Sequence, residues 1–265
     1  MTTHAHFADF AETLADAARD ATLPHFRCGT AVENKADGGD FDPVTRADQE
    51  AERIIREHIK KQYPEHGILG EEHGFEEGTS AYTWVLDPVD GTRAFISGIP
   101  LWGTLIALHD GTQPVVGLMD QPYTGERFRG VDGKAFFSRN GTSTALSTSA
   151  CTALKDAIFS TTTPDLFLTA GEKEAYDYLN NNARLTRLGC DCYAYCLLAA
   201  GTIDLVAEVD LKPYDIQALI PIIQGAGGVI TDWRGGPADQ GGDVVAAATP
   251  ELHAEVLSQL TPLAK

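Results

Sequence analysis

Two aspartates stand three residues apart in Asp87-Pro88-Val89-Asp90-Gly91-Thr92, directly after the apolar Trp84-Val85-Leu86. Pro88 removes one backbone donor and holds Asp87 extended, while Gly91 permits a tight turn, so both carboxylates can face one point. Asp-Pro and Asp-Gly are also good turn formers, and the motif alone reads equally well that way. It has company. Gly70-Glu71-Glu72 follows the apolar Ile68-Leu69, so a second apolar run upstream also ends in carboxylates. Asp215 lies far downstream at a predicted helix start, where taken singly it reads first as an ordinary cap. Four carboxylates at element ends cannot cluster unaided, because like charges a few ångströms apart raise each other's pKa. Cations resolve this. Hard oxygen donors without accompanying Cys or His pairs suit Mg2+ rather than zinc, and two ions ~3.5–4 Å apart are the standard arrangement for phosphate-ester hydrolysis.

The elements that must position these groups are readable from periodicity. Phe7, Phe10, Leu14, Ala17, Ala18 and Ala21 recur at helical spacing before Pro24. Thr45 and Asp48 have the form of a capping box, and Ala51, Ile54, Ile55 and Ile59 continue as one apolar stripe up to Tyr63-Pro64. Short apolar runs at 68–69, 82–86, 105–108 and 115–119 predict strands. After Asn140-Gly141 the pattern alternates: a strand over 157–160, helices over 171–181 and 191–200, a strand over 203–207 and a helix over 214–224. Strands at 229–230 and 244–247 follow, with a last helix from Pro250. The division expected is an α+β segment over 1–142, carrying most of the candidate ligands, and an α/β segment over 143–265, carrying Asp215 and the substrate side.

Composition removes several function classes. The chain has 265 residues with 20 basic and 38 acidic side chains, a formal net charge of −18. Such a surface repels polyanions, so neither a nucleic acid nor an anionic membrane is expected as partner. No stretch approaches the ~20 apolar residues of a spanning helix, and the start lacks the basic and apolar regions of a secretory signal. The odd set Cys28, Cys151, Cys190, Cys192 and Cys196 favours a reducing compartment, so a cytoplasmic location is expected. Helical packing accounts for Cys190, Cys192 and Cys196 without metal or redox chemistry.

Three separated blocks in order resemble the Mg2+-dependent inositol monophosphatase-like phosphatases: Gly70-Glu71-Glu72, Asp87 to Thr92, and Asp215 followed by Gly225-Ala226-Gly227-Gly228. Lys35 and Asp42-Pro43-Val44-Thr45 with Asp48 add to the likeness, which covers most of the chain. The resemblance implies an α/β fold, α+β in the N-terminal half and α/β in the C-terminal half, layered as an αβαβα sandwich and paired as a homodimer. It implies Glu71, Asp87, Asp90 and Asp215, with the Val89 carbonyl, as ligands of two or three Mg2+ ions, for which Mn2+ can substitute. The amides of Gly91 and Thr92 would hold a phosphate oxygen. Glu71 and Thr92 would orient the attacking water, with Asp48 polarising the Thr92 hydroxyl and Lys35 on the substrate side. Asp48 also has its local explanation as half of a capping box, and Lys35 reads equally as a solvated lysine.

The leaving group is narrowed by further blocks. The segments 92–98, 101–108 and 120–122, with Gly189-Cys190-Asp191-Cys192-Tyr193 and Leu211-Lys212-Pro213-Tyr214-Asp215, resemble the histidinol-phosphate phosphatase branch more than the inositol branch. The inositol branch commonly has Trp where this chain has Tyr214. Histidinol carries an amine and an imidazole, so Asp191 and Glu208 are the expected anchors, although each reads equally as an exposed surface acid. An inositol or broad sugar-phosphate phosphatase shares the metal chemistry and is the alternative. A nucleotidase lacks a recognisable basic pocket here, and a non-catalytic regulatory homologue would not need the whole carboxylate set.

Overall fold

Ala8, Ala11, Leu14, Ala15 and Ala18 are fully buried along one stripe of α1 (Ala5–Thr22), and Ala51, Ile55 and Ile59 along one stripe of α2 (Arg46–Gln62). The small alanines let the two helices pack closely, and Pro24 and Pro64 prevent either from continuing. The computed structural model describes residues 4–28, 32–34 and 43–264, with 32–34 and 43–45 described by backbone alone. Lys35 and Asp42 lie outside the described residues, as does the Thr45 side chain of the expected capping box. A short antiparallel pair, β1 (Val32–Asn34) and β2 (Pro43–Thr45), precedes α2.

The first large sheet has eight strands in the order β10-β9-β8-β7-β6-β5-β3-β4. They are β3 (Gly67–Gly70), β4 (Gly74–Glu76), β5 (Thr83–Asp90), β6 (Gly103–His109), β7 (Pro114–Gln121), β8 (Glu126–Val131), β9 (Lys134–Arg139) and β10 (Thr142–Ala145). A short helix, α3 (Thr92–Ile96), follows β5. The second sheet, ordered β12-β11-β13-β15-β14, holds β11 (Ile158–Thr161), β12 (Leu185–Leu188), β13 (Leu205–Leu211), β14 (Val229–Asp232) and β15 (Gly242–Ala247). Its helices are α4 (Ala170–Asn182), α5 (Asp191–Ala199), α6 (Pro213–Ile216), α7 (Leu219–Gly225) and α8 (Pro250–Leu260).

Strand alternation sorts side chains into three cores. In β6, Ile106 and Leu108 face α1 and α2, while Leu105 and Ala107 face α5 and α7. In β15, Val244 and Ala246 face that same middle layer, while Val245 and Ala247 face α4 and α8. Both sheets are therefore covered on both faces, which is why their central strands read as continuous apolar runs. The layers are α1/α2, sheet, α5–α7, sheet, α4/α8: the expected αβαβα sandwich.

Three expectations need correction. The single helix over 214–224 is two, α6 and α7, because Pro221 cannot donate to the Gln217 carbonyl one turn earlier and its ring crowds it. Strands β8, β9 and β10 were not anticipated. In β8, Arg127 and Arg129 interrupt the apolar pattern because they reach α1: Arg127 pairs with buried Asp120 at 2.8 Å and with Asp16 at 2.7 Å, and Arg129 with Glu12 at 2.7 Å. The edge strands β4 and β12 are short and mostly exposed, so neither carries an apolar signature.

Candidate active site

In a regular strand, residues 87 and 90 would point to opposite faces. β5 escapes this through a bulge: Asp87 pairs with Leu105 and Asp90 with Gly103, so one extra residue is inserted on the β5 side. The bulge is held by the Val89 amide donating to Asp87 Oδ1 at 3.0 Å and the Thr104 hydroxyl donating to the Pro88 carbonyl at 2.8 Å. Gly91 then turns the chain with φ of 82°, and a Cβ there would meet Leu101 O at 3.0 Å and Trp102 Cα at 3.2 Å. Thr92 starts α3, and its hydroxyl donates back to the Val89 carbonyl at 3.1 Å. The parallel pairing of β3 with β5 sets Glu71 beside Asp87, with the Glu71 amide donating to Leu86 O at 3.2 Å.

The other side of the site comes from the second sheet. β13 carries the same device, a bulge between Glu208 and Leu211 with Asp210 at φ of 56°, and the chain leaves it into α6. Asp215 is the third residue of α6 and accepts the Lys212 amide at 2.7 Å. It is a cap and a cleft residue at once. Asp191 opens α5 with φ of 44°, a conformation that costs a non-glycine residue about 1 kcal/mol or more. The next residue, Cys192, donates its amide to Asp90 Oδ2 at 2.8 Å, joining the two halves.

Together these elements enclose a cleft of about 270 Å³ lined by Glu71, Asp87, Val89, Asp90, Gly91, Thr92, Asp191, Glu208 and Asp215. Asp87, Asp90 and Asp215 each bring a carboxylate oxygen within 4.8 Å of the others. Glu71 lies in the same cleft, and its charge acts on Asp87 and Asp215. Asp48 is buried in the first turn of α2 and is not among the lining residues, though its charge also reaches Asp87.

The electrostatics follow from crowding. Burial, then the charges of Glu71, Asp90, Asp215 and Asp48, push the Asp87 carboxyl well above its ordinary range. Burial does the same to Asp90, reinforced by Asp191 and Asp215 and opposed by the Cys192 amide. Asp215 is pushed up to about 7, mainly by burial, against the Lys212 amide that favours its ionised form. A divalent cation among these oxygens would remove the repulsion, and the oxygen-only donor set fits a hard ion.

Elsewhere on the cleft wall, Glu208 is 3 % exposed and accepts the Thr162 amide at 2.7 Å, the Thr162 hydroxyl at 2.9 Å and the Thr161 hydroxyl at 3.0 Å. Burial raises it to about 7 despite these donors, and raises Asp191 to about 6 against the charge of Arg93. Sequence reading missed the cleft residues Arg93, Thr162 and Tyr195, the apolar wall of Leu166 and Leu211, and Thr161, which donates to Glu208. The Thr161-Thr162-Thr163 run at the end of an apolar strand was the available sign. Arg93, next to Thr92, carried none.

The carboxylates gathered at these strand ends, between the two sheets of the sandwich, form a donor set suited to hard cations. The chain belongs to the inositol monophosphatase family, which it matches over residues 4–263, and so to the phosphatases that act on small phosphorylated substrates. It is 42 % identical over 265 residues to the bifunctional phosphatase IMPL2, chloroplastic, of Arabidopsis thaliana, covering 96 % of this chain and 75 % of that protein. It is 38 % identical to a histidinol-phosphatase of Streptomyces coelicolor, covering 94 % of this chain and 95 % of that one. The solved structure of an inositol monophosphatase from Zymomonas mobilis superposes with a TM-score of 0.86 at 41 % identity, covering 98 % and 99 % of the two chains. Among the described residues no helix is long and apolar enough to cross a membrane.

Proposed function

We propose that the chain is a Mg2+-dependent phosphomonoesterase that releases phosphate from L-histidinol phosphate. The observation that carries this reading is that Asp191 and Glu208 line the same cleft as Asp87, Asp90 and Asp215. Acids on the leaving-group side suit a cationic alcohol, whereas a neutral polyol gains nothing from their charge. The likeness to the Streptomyces coelicolor histidinol-phosphatase supports the same choice.

Asp87, Asp90, Asp215 and Glu71, with the Val89 carbonyl, hold the ions in this scheme. Bound Mg2+ supplies neutralising charge on the phosphate oxygens and lowers the pKa of water in the cleft. Gly91 and Thr92 present backbone amides to a phosphate oxygen, and Glu71 with the Thr92 hydroxyl orients the attacking water in line with the ester bond. Asp48 is assigned to polarise that hydroxyl from α2 once it turns from the Val89 carbonyl, to which it donates in this structure, and Lys35 is assigned to the substrate side. Asp191 and Glu208 bind the amine and imidazole of the leaving group against Leu166 and Leu211. A substrate cation favours the ionised forms of both acids, drawing Glu208 down from about 7. A homodimer and a cytoplasmic location complete the proposal.

The test is phosphate release from L-histidinol phosphate and inositol 1-phosphate, with Mg2+ or EDTA. Histidinol phosphate should be preferred by about 10-fold or more in kcat/KM, with no turnover in EDTA. Asp90→Asn should lower kcat by more than about 100-fold while keeping a cooperative melt. A preference for inositol phosphate, or full activity of Asp90→Asn at limiting Mg2+, would refute the assignment.

A further inference from the structure

Glu52 is fully buried, yet it faces neither solvent nor the cleft. Its carboxylate accepts the Glu72 amide at 2.7 Å, the His73 amide at 3.1 Å and Arg56 Nε at 2.8 Å. Arg56, itself 7 % exposed, also donates to the Gly74 carbonyl. β3 and β4 pair antiparallel with Gly70 opposite Gly74, so residues 71–73 form the hairpin loop between them. Glu52 and Arg56 therefore grip that loop at successive backbone groups. The fit is tight: a Cβ on Gly70 would overlap the Glu52 carboxylate.

Asp48, Glu52 and Arg56 stand at successive fourth positions of α2 and are all buried, forming one polar rail along a helix whose neighbouring stripe is apolar. A buried carboxylate is costly unless it is fully hydrogen-bonded and charge-paired. Here the compensation comes from two loop amides, the Arg56 guanidinium and the His73 ring at 3.4 Å, so moving the loop away would leave the buried charge with Arg56 alone. The loop that is held this way begins with Glu71.

We propose that Glu52, braced by Arg56, is a positioning residue that fixes the Glu71 carboxylate in the cleft and thereby sets the protein's affinity for Mg2+. This rests on Glu71 acting as a metal ligand in the reading above. Glu52 touches neither ion nor substrate; it acts through the loop amides. Its loss removes the anchor of one ligand and leaves the cluster of Asp87, Asp90 and Asp215 in place.

The experiment compares wild type with Glu52→Gln, which keeps the shape but presents a donor where Arg56 and the loop amides also donate. Magnesium alone is titrated calorimetrically into substrate-free protein, and hydrogen exchange is followed at residues 71–74. The variant should bind Mg2+ about 10-fold or more weakly, need correspondingly more Mg2+ for half-maximal phosphatase activity, and exchange faster at those amides. Its KM at saturating Mg2+ should match wild type, a split that general loss of structure would not give. Glu52→Asp keeps the charge with a shorter reach and replaces the Gln variant if that one does not melt cooperatively; the same direction is expected. Wild-type Mg2+ affinity in the folded variant overturns the proposal, as does weakened binding with unchanged exchange at 71–74. A wild type that binds Mg2+ but ignores histidinol phosphate would sink the substrate assignment alone, since the calorimetry uses no substrate.

Discussion

Asp215→Asn should make the metal-free protein more stable while disabling it. Holding a carboxyl at about 7 instead of its ordinary 3.8 makes ionisation cost on the order of 4 kcal/mol in the folded chain. Water at the open side of the cleft screens part of this, leaving a net on the order of 2–4 kcal/mol. Because the folded chain holds this proton more tightly than the unfolded one, stability declines as pH rises from 3.8 to about 7 and then levels off. The substituted amide carries no charge to penalise, and its oxygen can still accept the Lys212 amide that caps α6. Thermal melts in EDTA at pH 8 should therefore place the variant on the order of 5–10 °C above wild type. The gap should narrow at pH 5, where the folded wild type keeps its proton. Saturating Mg2+ should reverse the order, because binding stabilises only the protein that retains its ligands. A variant that melts below wild type in EDTA at pH 8, or a gap independent of pH, would refute the claim that burying and crowding these acids burdens the fold until a cation relieves it.

Gly70→Ala should push the Glu52 carboxylate out of its seat, costing about 1–3 kcal/mol of stability and raising the Mg2+ requirement; melting curves and Mg2+ titrations of activity check both. Thr162→Val removes one hydroxyl donor from Glu208, so this acid should take up its proton at higher pH than about 7. The KM for a cationic phosphate ester should then rise as pH falls toward 7, with kcat at pH 9 unchanged; an unaltered pH profile of KM would count against Glu208 as the cation anchor.

Much of the scaffold was legible because burial on both faces leaves a plain signature. β5, β6 and β7 are almost wholly buried around apolar runs, and α1 and α2 each bury one stripe. What stayed hidden was written in long-range partners. Arg127 and Arg129 disguise β8 because their charges are answered by Asp120, Asp16 and Glu12, the nearest of them on the neighbouring strand and the others on a helix more than a hundred residues earlier. The Asp87-Pro88-Val89-Asp90 spacing was visible, but the bulge that turns both acids to one side depends on pairing with Leu105 and Gly103. Nothing in the sequence sets Glu52 apart from the other acids of α2. Its burial depends on Gly70, whose missing side chain leaves room for the carboxylate beneath the loop.

The paired bulges in β5 and β13 make inward orientation a matter of counting. Pairing in unbroken register, with neither extra residue taken up by a bulge, would turn Asp90 away from Asp87 and Leu211 away from Glu208, although no side chain that does chemistry had been changed. Substitution can erode this site by degrees, but loss of either bulge would dismantle it in a single step. In that sense the frame of the backbone is as much a part of the site as the carboxylates themselves.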